Sequence, residues 1–199
     1  VVSATPSEGK TTTAVMLARN FAQLGKRVLV IDGDLRNASL HKALGLGNEM
    51  GLCNLLAGHA KPMDVIVPTD EPNLFAMTSG PLPPNPAELL AGSKMLSLLT
   101  VAVEKYDKVI IDGPPVLGLA DAPILSNIAN ATLLVVESSQ TRVAIARNAL
   151  KRLRAARAYV VGALLTKYDS AATGQGYGYG DYSYYSYGGG DSKGKLTKQ

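Results

Sequence analysis

The first dozen residues constrain this chain most. Two apolar residues, Val1-Val2, run into Ser3-Ala4-Thr5-Pro6-Ser7-Glu8-Gly9-Lys10-Thr11-Thr12, and a helical pattern follows. A strand, a tight loop ending in Gly-Lys-Thr and a helix together form a phosphate-binding loop. Backbone N–H groups in such a loop and at the following helix N-terminus point at anionic oxygens. Gly9 lets the backbone approach closely, Lys10 reaches the outer phosphates as a point charge, and the Thr11 hydroxyl is a hard ligand for Mg²⁺. The stretch Pro6, Ser7, Glu8, Gly9, Lys10, Thr11 and Thr12 is the expected nucleotide cradle. The strict motif has Gly at position 4, where this chain has Ala4.

Downstream, strands and helices alternate. Residues 11–24 carry Ala14, Leu17, Ala18, Phe21 and Leu24 at helical spacing before Gly25. Arg27-Val28-Leu29-Val30-Ile31-Asp32 is a continuous apolar run, the signature of a parallel strand buried on both faces, and it ends in Asp32-Gly33-Asp34. Residues 39–59 read as short helical pieces, 73–78 as a strand, and 87–104 as one helix after the rigid loop Gly80 to Pro86. Lys108 to Asp112 is a second buried strand ending in an acid. A helix over 121–129, a strand over 131–137, a helix over 141–157 and a last strand over 159–165 complete the pattern. The expected fold is α/β: a doubly wound, mainly parallel sheet with helices on both faces.

In such sheets ligands bind at the C-terminal strand ends. Lys10-Thr11, Asp32/Asp34 and Asp112 should therefore converge on one edge. A nucleoside triphosphate carries about four negative charges, and Mg²⁺ takes one or two carboxylates while keeping several waters. Thr11 with one or two of these acids meets that need. A further acid of the Asp32-Gly33-Asp34 hairpin is placed to orient a nucleophile for phosphoryl transfer.

Composition narrows the partners. The net charge of +4 is mild, and three lysines (193, 195 and 198) lie at the far end, so nucleic acid is not an expected partner. Cys53, the single cysteine, sits in an apolar stretch and reads as a buried structural thiol; His41 and His59 are isolated, and no His/Cys metal site is expected. No run of about 18 apolar residues occurs, and no charged-then-apolar leader opens the chain. The chain lacks an initial Met and its first strand is short, so it is read as a segment of something longer. The arginines of 142–157 read either as a solvated helix face or as a docking face for acidic or phosphorylated segments.

After residue 170 the composition changes. Residues 174–190 hold six tyrosines and seven glycines with almost nothing aliphatic, the composition of a disordered tail. The expected division is a domain over 1–169 and a tail over 170–199. The tail leaves from the last strand's C-terminal end, on the nucleotide edge, and about 20 Gly-rich residues span roughly 25 Å.

These motifs together resemble the bacterial tyrosine kinases, the P-loop ATPase-derived cytoplasmic domains (MinD/ParA-like branch) of exopolysaccharide and capsule assembly systems. Ser3 to Thr11 resembles their Walker A motif, Val28 to Arg36 their second motif, Walker A′, and Val109 to Pro115 their Walker B. Gly80-Pro-Leu-Pro-Pro-Asn85-Pro86-Ala-Glu88-Leu-Leu90 resembles a stretch absent from most P-loop proteins, and the tyrosine cluster resembles their autophosphorylation tail. The resemblance implies an ATP- and Mg²⁺-dependent transferase in which Lys10 binds the β and γ phosphates. Thr11, Asp34 and Asp112 hold the ion, and Asp32 activates the tyrosine hydroxyl. Tyr177, Tyr179, Tyr182, Tyr184, Tyr185 and Tyr187 are then the acceptors, phosphorylated by a neighbouring subunit of a ring-like homo-oligomer.

The same resemblance implies a membrane activator or polysaccharide co-polymerase, fused upstream or separate, and sugar-biosynthesis enzymes as further substrates. It implies a place on the cytoplasmic face of the membrane and control of exopolysaccharide polymerisation and export. Family members often carry Asn near the end of the last strand, where this chain has Leu164-Leu165-Thr166-Lys167. Thr5 stands where MinD/ParA-type ATPases have a signature lysine. A MinD/ParA-type ATPase switch without tyrosine phosphorylation is the alternative, and a non-catalytic nucleotide-sensing module a third reading.

Overall fold

The computed structural model describes residues 1–169. In chain order the elements are β1 (Val2–Ser3), α1 (Lys10–Gln23), β2 (Val28–Asp32), α2 (Leu40–Leu44), α3 (Leu52–Ala57), α4 (Pro62–Val65), β3 (Val67–Pro68), β4 (Leu74–Met77), α5 (Pro86–Ala91), α6 (Ser93–Lys105), β5 (Lys108–Asp112), α7 (Asp121–Ile128), β6 (Thr132–Glu137), α8 (Val143–Ala155) and β7 (Val160–Thr166).

Strands pair in the orders β3-β4-β2-β5 and β1-β6-β7. A parallel bridge between Ser3 and Pro115 joins the two groups. Just past it, the Val116 N–H donates to the Ser3 carbonyl at 2.8 Å. Every pairing between strands is parallel except β3 with β4. The doubly wound expectation therefore holds, with one short antiparallel edge.

The β2 run shows why a continuous apolar sequence suits a central strand. Leu29 and Ile31 enter one core with Leu52, Met77, Leu90, Met95 and Leu98. Val28 and Val30 enter another with Ala14, Val15 and Ala18 of α1 and Leu40 of α2. Side chains alternate between faces, and both faces are covered, so no polar residue is tolerated until the strand end. A third core joins Val2, Ala4 and Leu134 to Ala149 and Leu153 of α8.

The expected helix over 87–104 is two helices. Gly92 adopts an extended conformation (φ −71°, ψ 156°) between α5 and α6. Glycine is a poor helix former, and the break re-aims α6 so that Met95, Leu98 and Ala102 are buried. The two-residue strand β3 and the single-turn helix α4 were not expected, since neither is long enough to show a period. The six tail tyrosines and the 170–199 boundary lie outside the described residues.

Candidate nucleotide site

The register of β2 with β5 pairs Asp32 directly with Asp112, so the two acids that end these strands stand side by side. Gly33, which follows the first acid, packs tightly. A Cβ there would meet Ile111 Cγ2 and Leu125 Cδ1 at 2.9 Å each, so only glycine turns the chain here without displacing the core. β1 delivers the loop of residues 4–9 to the same edge, on the other side of β5.

The loop's shape comes from two left-handed residues, Ser7 (φ 65°) and Gly9 (φ 90°). Ala4 has no positive φ and is fully buried in the third core, which explains why alanine serves where the strict motif has glycine. Gly9 caps α1 with no side-chain cap bond, leaving the first N–H groups of the helix open to an anion. Pro6, Ser7 and Thr12 are exposed at the loop tip and helix start.

Glu8 behaves differently from an exposed cradle residue. Its side chain is buried, accepting from Thr5 N–H at 2.7 Å, from the Thr141 hydroxyl and from Glu137 N–H at 3.5 Å. The Thr166 hydroxyl donates to the Glu8 carbonyl at 2.7 Å. Lys167 donates to the Ser7 carbonyl at 2.9 Å while pairing with Glu137 at 2.9 Å. The ends of β6 and β7 thus brace the loop through Glu8. Thr166 and Lys167, in the segment where the resembled family often has Asn, touch the loop's outer side.

On the inner side, Lys10 Nζ sits 3.1 Å from Asp34 Oδ2, both groups nearly buried. The Thr11 hydroxyl shares a 2.7 Å hydrogen bond with the Ser39 hydroxyl. Asp32 is fully buried; Oδ1 accepts from Asp34 N–H, and Oδ2 from Ser39 and Leu40 N–H. Burial, reinforced by the Asp112 charge, pushes its carboxyl up to about 7 against those three N–H bonds. A carboxylate offers about four acceptor positions, which leaves one for a proton donor.

Asp112 is the unusual group. It is fully buried, and neither carboxylate oxygen has a hydrogen-bond partner. Burial raises its pKa, opposed by the Thr11 hydroxyl and the Lys10 ammonium nearby. An unpartnered buried carboxylate is costly unless a cation completes it. Among the described residues no group of three or more His, Cys, Asp or Glu side chains could hold a metal alone. That donor set, one bare carboxylate beside a hydroxyl, fits Mg²⁺, which takes few protein ligands and draws the rest from phosphate and water.

Several contributors were not legible in sequence. Arg36 Nε donates to Asp121 Oδ2 at 2.6 Å, tying the loop after β2 to the start of α7. Asp121 is buried, with its other oxygen unpartnered. Ser39, Thr141 and Thr166 act through hydroxyl contacts across 28 to 158 positions of sequence, which no local spacing reveals. Cys53 is buried as expected, and burial pushes its thiol up to about 11.

A family described as "AAA domain" matches residues 7–156. Over 165 residues the chain is 43% identical to the tyrosine-protein kinase YwqD of Bacillus subtilis, covering 83% of this chain and 70% of that protein. Other relatives named as tyrosine-protein kinases are longer, and the chain spans about a quarter of their length. Among solved structures, the kinase domain of the Escherichia coli tyrosine kinase ETK superposes with a TM-score of 0.80 at 33% identity, covering 90% of this chain and 70% of that one. The septum site-determining protein MinD of Pyrococcus horikoshii, complexed with Mg-ADP, superposes with a TM-score of 0.69 at 26% identity, covering 82% and 67%.

Proposed function

The chain belongs to the bacterial tyrosine-protein kinases, and from that premise we propose that it transfers the γ-phosphate of ATP to tyrosines of its own C-terminal segment, in trans, from one copy to another. The acceptors are Tyr177, Tyr179, Tyr182, Tyr184, Tyr185 and Tyr187, which are outside the described residues.

One observation carries the reading: Asp112, buried and bare, stands in register with Asp32 and beside the Thr11 hydroxyl and the Lys10–Asp34 pair. Mg²⁺ supplies charge neutralisation of the phosphates at such a site. Thr11, Asp34 and Asp112 are the residues that would hold it. Lys10 leaves Asp34 for the β and γ oxygens, and the open N–H groups from Gly9 to Thr12 take the rest of the phosphate charge. Asp32 takes the phenolic proton through its remaining acceptor position. The tyrosine oxygen bonds to the γ-phosphorus as the bond to the β–γ bridging oxygen breaks, and ADP leaves. The loop is held in shape beforehand by Glu8, so little reorganisation accompanies binding.

The wider setting is part of the same proposal. It includes a ring-like homo-oligomer, a membrane activator fused or separate, sugar-biosynthesis enzymes as further substrates, and control of exopolysaccharide or capsule polymerisation at the cytoplasmic face of the membrane. Among the described residues no helix is long and apolar enough to cross a membrane.

Mixing two variants tests the transfer. Lys10→Met supplies an intact tail without activity, and a copy lacking residues 174–190 supplies activity without a tail. With Mg-ATP, and the activator segment where required, phosphotyrosine should appear on the Lys10→Met chain. ATP hydrolysis by the tail-less copy with no phosphotyrosine on its partner would instead support a MinD-type switch.

A further inference from the structure

At the other end of the sheet from the phosphate loop, a cavity of about 710 Å³ opens between α4 and α6. Arg27, which precedes β2, and Tyr106, which precedes β5, lie in its lining, so it sits at the strands' N-terminal ends. Leu55, Ile66, Phe75, Leu98, Ala102 and Tyr106 make its apolar floor. Phe75 and Tyr106 meet edge to face at 5.5 Å, and the Arg27 guanidinium lies 5.0 Å and 5.1 Å from their ring centres.

The rim is cationic. Arg27, Lys61, Lys94 and Lys105 line it, and no described carboxylate does. On α6 the lining residues Lys94, Leu98, Val101 and Lys105 fall at helical spacing, a stripe with a cation at each end and apolar side chains between. Lys94 and Lys105 are eleven positions apart, about 16 Å along the helix. The apolar surface does not stop at the mouth, since Met63 is 80% exposed and Val101 44%. A small ligand is normally enclosed by its pocket. An occupant here must instead lie across the opening, touch both rim and floor, and carry negative charge. The neighbouring edge strand β3 is two residues long and contains Pro68, so it offers little for strand addition.

We propose that this groove docks an acidic amphipathic helix of a partner protein, about three turns long, with large apolar residues at i, i+3/i+4 and i+7 inserted between α4 and α6 and carboxylates paired with Lys94 and Lys105. The site is remote from the nucleotide edge, so a docked partner leaves phosphoryl transfer unobstructed. It is a recruitment surface separate from the catalytic one.

The test uses the whole chain and a displayed library of amphipathic helical peptides varied in flanking charge. Enriched peptides should be acidic at both ends, bind more weakly as salt rises, and lose about tenfold or more in affinity for a Lys94→Glu/Lys105→Glu chain. Val101→Asp should weaken them by a separate route. Both variants should keep the wild-type melting temperature and nucleotide binding, which excludes misfolding as the cause. The proposal is overturned if no peptide is enriched, if enriched peptides are basic or neutral, or if they bind the double variant as tightly as wild type. Phosphatidylglycerol vesicles form a second arm: vesicle binding that the double variant abolishes, with no peptide competing for it, assigns the face to a membrane surface and also overturns it.

Discussion

Two buried acids with opposite circumstances occupy the site. Asp32 accepts three backbone N–H groups, while Asp112 accepts none. The difference has a consequence for pH. The Asp32 carboxyl is held at about 7 when folded, above its ordinary 3.8. The folded domain therefore keeps this proton where the unfolded chain releases it. That contribution is complete below pH about 4 and is lost as pH rises toward 7. Without nucleotide, the melting temperature should fall between those values and level off above pH 7, and Asp32→Asn should flatten the fall. A rise over the same range would contradict the assignment.

Asp112→Asn should act in two directions. Removing a buried charge that burial disfavours more than the nearby Thr11 and Lys10 favour it should raise the melting temperature of the nucleotide-free domain by a few degrees. The same change should lower phosphotransfer about 100-fold or more. Loss of stability with activity retained would mean that Asp112 serves the fold and not the ion.

At the level of elements, the site is assembled by strand ends and braced by loops. The apolar runs of β2, β5 and β6 announce themselves, β2 because burial on both faces admits no polar residue, β5 and β6 because their apolar residues run on without interruption, although several of them are only half-buried. Their terminal acids stand out for the same reason. The braces do not. Glu8 reads in sequence as one residue of the nucleotide cradle, yet it is 1% exposed and bonded to groups near both β6 and α8. Glu8→Gln should leave one of these donors facing an amide nitrogen, loosen the loop and raise the Km for ATP about tenfold, while kcat changes less. Equal losses in both constants would place Glu8 at the reacting phosphate instead. Gly92 marks another limit: a single extended residue splits the helix expected over 87–104, and propensity summed across a window does not register it. Leu153 anchors α8 to the third core with no exposure. Leu153→Ala should cost about 2–5 kcal/mol, measured by denaturant unfolding.

Over the whole molecule, the alternation of strands and helices made the parallel sheet and its ligand-bearing edge readable from sequence. The strand order was not readable, because it is fixed by contacts between distant segments. β1 lies between β5 and β6, joined by the Ser3–Pro115 bridge and the β1–β6 ladder. That placement sets the phosphate loop between Asp112 and the bracing ends of β6 and β7. The cationic groove on the opposite side was also invisible, since its rim gathers residues 27, 61, 94 and 105 from separate parts of the chain. The tyrosine cluster was visible by composition alone, and its chemistry is decided by experiment.

The proposed activity of this site is phosphorylation of tyrosines of its own chain. Mass spectrometry of residues 170–199 after expression, comparing wild type with Lys10→Met, tests it most directly. Phosphotyrosine at one or more of residues 177–187 in wild type, and none in Lys10→Met, is the expected result. A tail that is unmodified in wild type with the activator segment present, or equally modified in both chains, would contradict it.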